Sequence, residues 1–186
     1  METYQLTNGK TLEVIHDEFT DNNPRVDFDN LGTMVCFHNR YRLGDEQDKY
    51  SQRNYTSWEQ LKKAIIKNEN VAVILPIYMY DHSGITIRTT PFDCRWDSGQ
   101  IGYIFISKEK ALYEYGGKRV TKALRDRLTG YLINEVEVYD QYLRGDIYGF
   151  KLLNSEGVEE DSCWGFYGSD PMENGMMEHI DGEIVS

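Results

Sequence analysis

VAVILPIYMYDHSGITIRTT, residues 71–90, decides the fold class of this 186-residue chain. A run rich in Val, Ile and Tyr meets Asp81-His82-Ser83-Gly84, a cluster of turn formers, and then continues as ITIRTT. The pattern predicts two strands, 71–80 and 84–89, turning back on each other. Pro76 has no N–H to give to a ladder, so an edge or a bulge is expected there.

Toward the C-terminus, PFDCRWDSGQ reads as a loop and 102–107 as a third strand, after which Ser107 caps a short helix over 108–115 that ends at Gly116-Gly117. From about 118 to 143, Val120, Leu124, Leu128, Leu132 and Val136 recur every four residues, with Tyr139 and Leu143 extending the stripe. This is the longest helix, ending at Gly145. Strands near 147–153 and 161–167 follow, and the last 15 or so residues read as mobile or weakly helical. Toward the N-terminus, Thr56-Ser57-Trp58-Glu59-Gln60 offers two overlapping capping boxes, and Trp58, Leu61 and Ile65 share one face of a helix over 57–68. Before it lie a long irregular loop at 39–55 and a strand at 33–38. The chain opens with a hairpin about Asn8-Gly9, its strands near 3–7 and 11–16. The expected architecture is α+β: a mainly antiparallel sheet packed by one long and two shorter helices, in a single domain whose acidic lobe covers about 146–186. A doubly wound parallel sheet is excluded, because strands and helices do not alternate.

Charge is unevenly spread. Residues 131–186 hold 13 acids against Arg144 and Lys151, which is the whole net charge of −11, while residues 1–130 balance at 18 acids and 18 bases. The long helix runs against its macrodipole, with Lys118, Arg119, Lys122, Arg125 and Arg127 in its first half and Glu135, Glu137 and Asp140 in its second. Sequence-independent binding to phosphate backbones is disfavoured for the chain as a whole, so nucleic acid is expected as an indirect or weak partner at most. No segment reaches the roughly 20 apolar residues of a membrane helix and no apolar signal core opens the chain, so the expected location is the cytoplasm, with no membrane partner.

Three scattered cysteines, Cys36, Cys94 and Cys163, suggest free thiols rather than a disulfide framework. Cys36 and His38 share a strand face as two metal ligands would, but two ligands do not make a site, and neither a metal nor a cofactor is implied. His179 with Glu178, Asp181 and Glu183 is a weak candidate for a divalent ion, since ordering a flexible tail costs entropy. The 81–98 loops gather His82, Cys94 and several aspartates; a cysteine nucleophile with a histidine base would need these types, and ordinary turn chemistry uses them too. Gly116-Gly117 followed by Lys118, Arg119 and Lys122 offers an anion or nucleic-acid contact without the spacing of a phosphate loop. Fourteen tyrosines remain, many beside acids. Tyrosines give contact area at low entropic cost and spaced carboxylates imitate phosphates. The expected partner-binding set is therefore Glu135, Glu137, Asp140, Asp146, Glu156, Glu159, Glu160 and Asp161 with Tyr139, Tyr142, Tyr148 and Tyr167.

The stretches DFDNLGTMVCFHNRYRLGD, PIYMYDHSGITIRTTPFDCRWDSGQIGYIFISKE and VEVYDQYLRGDIYGF resemble a family of largely uncharacterised proteins of phages, plasmids and conjugative elements of Gram-positive bacteria, over about residues 27–151. The resemblance carries no catalytic residues over. It implies an anti-defence role: a non-enzymatic inhibitor of a bacterial nucleic-acid-targeting nuclease, Cas9 first among them, acting through an acidic DNA-mimicking surface. The alternatives are a cysteine/histidine enzyme using the 81–98 loops and a binding module for replication or conjugation proteins.

Overall fold

In the computed structural model, which describes residues 1–185 except Thr20, Gln47 and Arg95, the chain is α+β with two antiparallel four-stranded sheets in two compact units. One unit joins Met1–Asn23 to Gln141–Ser186, and the other is Pro24–Asp140.

The central unit grows from the 71–90 stretch. β4 (Val71–Asp81) and β5 (Ile85–Arg88) form the expected hairpin, with Ser83 and Gly84 at positive φ in the turn. β6 (Ser98–Ser107) lies on the other side of β4, and β3 (Thr33–Cys36) beyond β6, giving the order β3-β6-β4-β5. β5 pairs only with Tyr78 to Asp81, so the earlier half of β4, where Pro76 sits, is open on that side, and a bulge follows at Ile77/Tyr78. Both expectations for Pro76 are therefore met. β6 begins at Ser98 rather than 102, because Tyr80 opposite Ser98 and Met79 opposite Gly99 draw a glycine-containing stretch into the ladder; no local signal announces that pairing.

Ile101 to Ile106 are buried on both faces of the sheet. Tyr103 and Phe105 pack with Val35, Tyr50 and the Leu61 and Ile65 of α2 (Trp58–Glu69). Ile104, on the alternate side, approaches Gly32 together with Leu132 of α4 (Lys122–Arg144). Ser57 caps α2 by accepting from the Gln60 N–H, while the Gln60 side chain accepts from the Thr56 N–H; the two predicted boxes thus merge into one cap. Ser107 caps α3 (Lys108–Tyr115) in the same way.

α4 starts four residues later than its apolar stripe suggests. Gly116 and Gly117 have φ of +73° and +99°, and the Thr121 hydroxyl accepts from the Leu124 N–H at 3.2 Å, so the cap and not the stripe sets the start. Lys118 and Arg119 consequently sit in the loop before the helix.

A four-residue helix, α1 (Pro24–Asp27), brings in the central unit's buried cation. The Arg25 side chain, 1% exposed, donates to Asp45, Glu135, Asn30 and the Gly32 carbonyl. Burial alone would lower its pKa; the carboxylates of Asp45 and then Glu135 more than offset that, and the net shift is upward.

In the terminal unit, β1 (Glu2–Gln5), β2 (Thr11–His16), β7 (Ile147–Leu153) and β8 (Glu159–Tyr167) lie in that order. Gly9, at φ +81°, closes the first hairpin in a loop fastened by Leu6 and Lys10. Leu12, Val14, Phe150 and Leu152 form one core face with Leu6, Met176 and Ile180. Of the two readings of the last residues, the weakly helical one is met by a 3₁₀ turn at Met176–His179 and the mobile one is corrected: Met176 is fully buried, and the Val185 and Thr7 amides bond to the Gln5 and Glu183 carbonyls at 2.8 and 2.9 Å. Met176, Ile180 and Ile184 recur every four residues as a helix face would, but Gly175 and Gly182 at positive φ keep the segment to one 3₁₀ turn at Met176–His179, and the sheet gives these side chains a place to bury.

Candidate protein-interaction surface

The charge divides by folded unit more sharply than by sequence. The terminal unit carries 15 acids against Lys10, Arg144 and Lys151, a net of −12, and the central unit carries 16 acids against 17 bases, a net of +1. The first 23 residues, with five acids to one base, belong with the acidic end once the β1–β2 hairpin pairs with β7.

The β7–β8 hairpin organises the most anionic part. Its turn forms because the Asn154 side chain accepts from the Glu156 and Val158 N–H groups, at 2.9 and 3.0 Å, and Gly157 supplies a φ of +79°. Glu156 is thereby held exposed at the tip, followed by exposed Glu159, Glu160 and Asp161 on β8, the edge strand of this sheet. Glu159 pairs with Lys151 at 2.8 Å and Glu160 with Lys10 at 2.7 Å. Hydrogen bonds from Lys151 and then Ser162 hold Glu159 below the usual carboxylate range, and Lys10 and Lys151 are raised by their partners. Such exposed pairs are open to water and to exchange for another cation.

Trp164 lies on this same strand, 45% exposed, with its ring over Gly149 of β7. A Cβ at Gly149 would come within 2.2 Å of the ring, so the glycine is what lets the indole lie down on the sheet. The sequence reading passed over Trp164; the signal was available in the glycine of IYGFKLL facing an outward position of β8.

Other members of the expected binding set are placed elsewhere. Glu135 is not a surface acid: it accepts from Arg25 and from the Leu31 and Gly32 N–H groups. Asp140 accepts from the Thr86 hydroxyl and the Ile87 N–H, both at 2.6 Å. Tyr139 is buried at 2% exposure and accepts from the Gly44 N–H. These three carry the helix stripe and its flanks into the interior of the central unit. Of the three helix acids in that set, Glu137 alone is exposed. In the terminal unit Asp146 pairs with Arg144 at 2.8 Å, Tyr148 packs on the core and edge-on to His16, and Tyr167 donates to the Asn22 carbonyl. Tyr142 is half-buried. These tyrosines therefore build the fold, and the exposed aromatic on β8 beside Glu159, Glu160 and Asp161 is the tryptophan.

The 81–98 loops do come together, in an order that does not suit nucleophilic catalysis. Asp97 Oδ2 lies 3.6 Å from His82 Nδ1 and accepts from the Cys94 thiol at 3.8 Å. The carboxylate stands next to the sulfur, in the position where a base that activates the thiol would have its imidazole. Cys36 and His38 also point to no metal. Burial, followed by Asp45, pushes the Cys36 thiol up to about 12, while His38 stacks on Tyr41 and its Nδ1 accepts from the Arg40 N–H. Among the described residues no three His, Cys, Asp or Glu side chains are arranged to hold a metal ion, those about His179 included, and no helix is long and apolar enough to cross a membrane. A pocket of about 310 Å³ opens beside Phe37, Tyr55 and Trp58 at the start of α2.

No family model, curated protein or solved structure matches this chain.

Proposed function

We propose that this chain is a non-enzymatic anti-defence protein of a phage or mobile element that binds a bacterial nucleic-acid-targeting nuclease, Cas9 first among them, through the anionic face of its terminal unit. The observation that carries the reading is the −12 concentrated in one compact unit beside a unit of +1. A nuclease that binds DNA presents a cationic groove, and a rigid array of carboxylates competes for it by imitating phosphates. Glu156, Glu159, Glu160 and Asp161 supply that array, and Trp164 supplies an aromatic anchor of the kind that dominates interface energetics. Lys10 and Lys151 hold two of the carboxylates in place until the partner's own cations replace them.

The test is co-migration of the purified protein with Cas9, with and without guide RNA. The complex is expected to form at about 0.1 M salt and to fall apart near 1 M, where the Debye length shrinks from ~10 Å to ~3 Å. Glu156→Lys with Asp161→Lys is expected to weaken it at least tenfold, and Trp164→Ala comparably. Absence of co-migration with either form of Cas9 overturns the choice of partner, and an interaction untouched by both salt and charge reversal overturns the mechanism.

A further inference from the structure

The central unit carries a second charged surface, of the opposite sign, which the acidic face leaves unused. Lys118 and Arg119 in the loop after α3, and Lys122 and Arg125 on the first turns of α4, are all exposed. None of the four has an ion-pair partner among the described residues. By contrast Lys10, Arg25, Arg40, Lys49, Lys63, Arg144 and Lys151 each sit against a carboxylate. Only Asp126 among the first two turns of α4 is acidic.

The position is also unfavourable for cations on stability grounds. The start of a helix carries the positive end of the macrodipole, where acids and not bases add stability. Four cations in the loop and first turns, with Asp126 the one acid among them, form a local positive surface whose natural complement is a closely spaced row of anions. Arg127 does not belong to that row: it stacks on the rings of Tyr115 and Tyr131, at 4.7 and 5.5 Å, and donates to the Tyr131 hydroxyl, which fixes α3 against α4 and so fixes the loop carrying Lys118 and Arg119.

We propose that Lys118, Arg119, Lys122 and Arg125 form a contact for the phosphodiester backbone of a nucleic acid, independent of the acidic face. The net charge of −11 does not forbid it, since the terminal unit carries −12 and the central unit itself carries +1. Contacts of this type position a strand without reading its sequence. DNA and RNA share that backbone, so both are probed.

Fluorescence anisotropy with labelled 20-nucleotide single-stranded RNA, the matching single-stranded DNA and the DNA duplex tests the assignment on the full chain. Four phosphate contacts give a slope of about −2.8 in log K against log salt on a single strand, so raising salt from about 50 to about 200 mM is expected to weaken binding roughly 50-fold. The quadruple variant Lys118→Ala/Arg119→Ala/Lys122→Ala/Arg125→Ala is expected to lose at least 30-fold in affinity at the lower salt with a melting temperature no lower than wild type, as none of the four side chains is buried and the cations oppose the helix dipole. The control Lys62→Ala/Lys67→Ala on α2 removes charge from the same unit and is expected to stay within threefold of wild type. Preference for single-stranded RNA, single-stranded DNA or duplex identifies the source of the backbone. No binding by wild type to any probe at about 50 mM salt, or equal losses in the quadruple and α2 variants, overturns the proposal. Retained Cas9 binding by the quadruple variant separates this surface from the acidic one.

Discussion

Arg25→Met tests the assignment of Glu135 to the interior. The Arg25 guanidinium is 1% exposed and meets Asp45 and Glu135, themselves 23% and 15% exposed, at 2.7 and 2.8 Å. Glu135 also accepts from the Leu31 N–H at 2.6 Å, and Asp45 from the Met34 N–H at 2.8 Å. One cation therefore ties α1, the start of β3, the loop at Asp45 and the middle of α4 together. Methionine keeps the apolar stem but leaves two carboxylates shielded from water without their counter-charge. Removing one partner of a buried ion pair costs about 3–5 kcal/mol, because the remaining charge is stranded. For a unit of this size that corresponds to a fall in Tm of roughly 10–20 °C. Urea unfolding followed by circular dichroism measures the change. Arg25→Met/Asp45→Asn/Glu135→Gln is expected to recover at least half of the loss, since both amides keep the oxygens that accept from the Met34 and Leu31 N–H groups. A loss below about 1 kcal/mol for Arg25→Met, or a triple variant no better than the single, refutes the reasoning.

Met176→Ala is expected to destabilise the terminal unit by about 2–5 kcal/mol, the range for emptying a fully buried site, and to speed hydrogen exchange at the Thr7 and Val185 amides; wild-type exchange at Val185 as fast as in an unstructured peptide would contradict the packed end. Cys36 is expected to resist alkylation in the native protein at pH 8 while Cys94 reacts, checked by mass spectrometry of the labelled peptides. Its folded value of about 12 lies above its ordinary 9.0, so the folded state holds the proton longer; the stability this provides is complete below pH 9 and declines as pH rises toward 12. A melting temperature that rises over that interval in wild type relative to Cys36→Ala would refute the assignment.

The elements with local causes were legible in the chain. Ser57 and Ser107 cap helices because a hydroxyl is chemically suited to an unpaired N–H, and Gly9 turns a hairpin because it alone tolerates that φ easily. The stripe of α4 identified its buried residues Leu128, Leu132, Val136 and Tyr139 correctly, and it is Tyr139's second placement, in the binding set, that the fold overturns. The candidate surface was less legible. Glu135 and Glu137 are the same residue type two positions apart, yet one closes an ion pair with a residue 110 positions away and the other faces water. The helical period does set Glu135 beside the stripe, three residues after Leu132 and four before Tyr139, and Glu137 on the far side, but whether that carboxylate is paired and withdrawn depends on Arg25 arriving from elsewhere in the chain.

What the sequence determined alone is the sign and amount of charge, the α+β class and the positions of most strands and helices, since these follow from composition, hydrophobic period and caps. Only the tertiary structure decided which charges act together. Pairing β2 with β7 gathers the first 23 residues and the last 46 into one unit and raises its charge to −12, while the Arg25 network withdraws Glu135 from any surface. Electrostatics depends on distance in space, and separation along the chain does not record it.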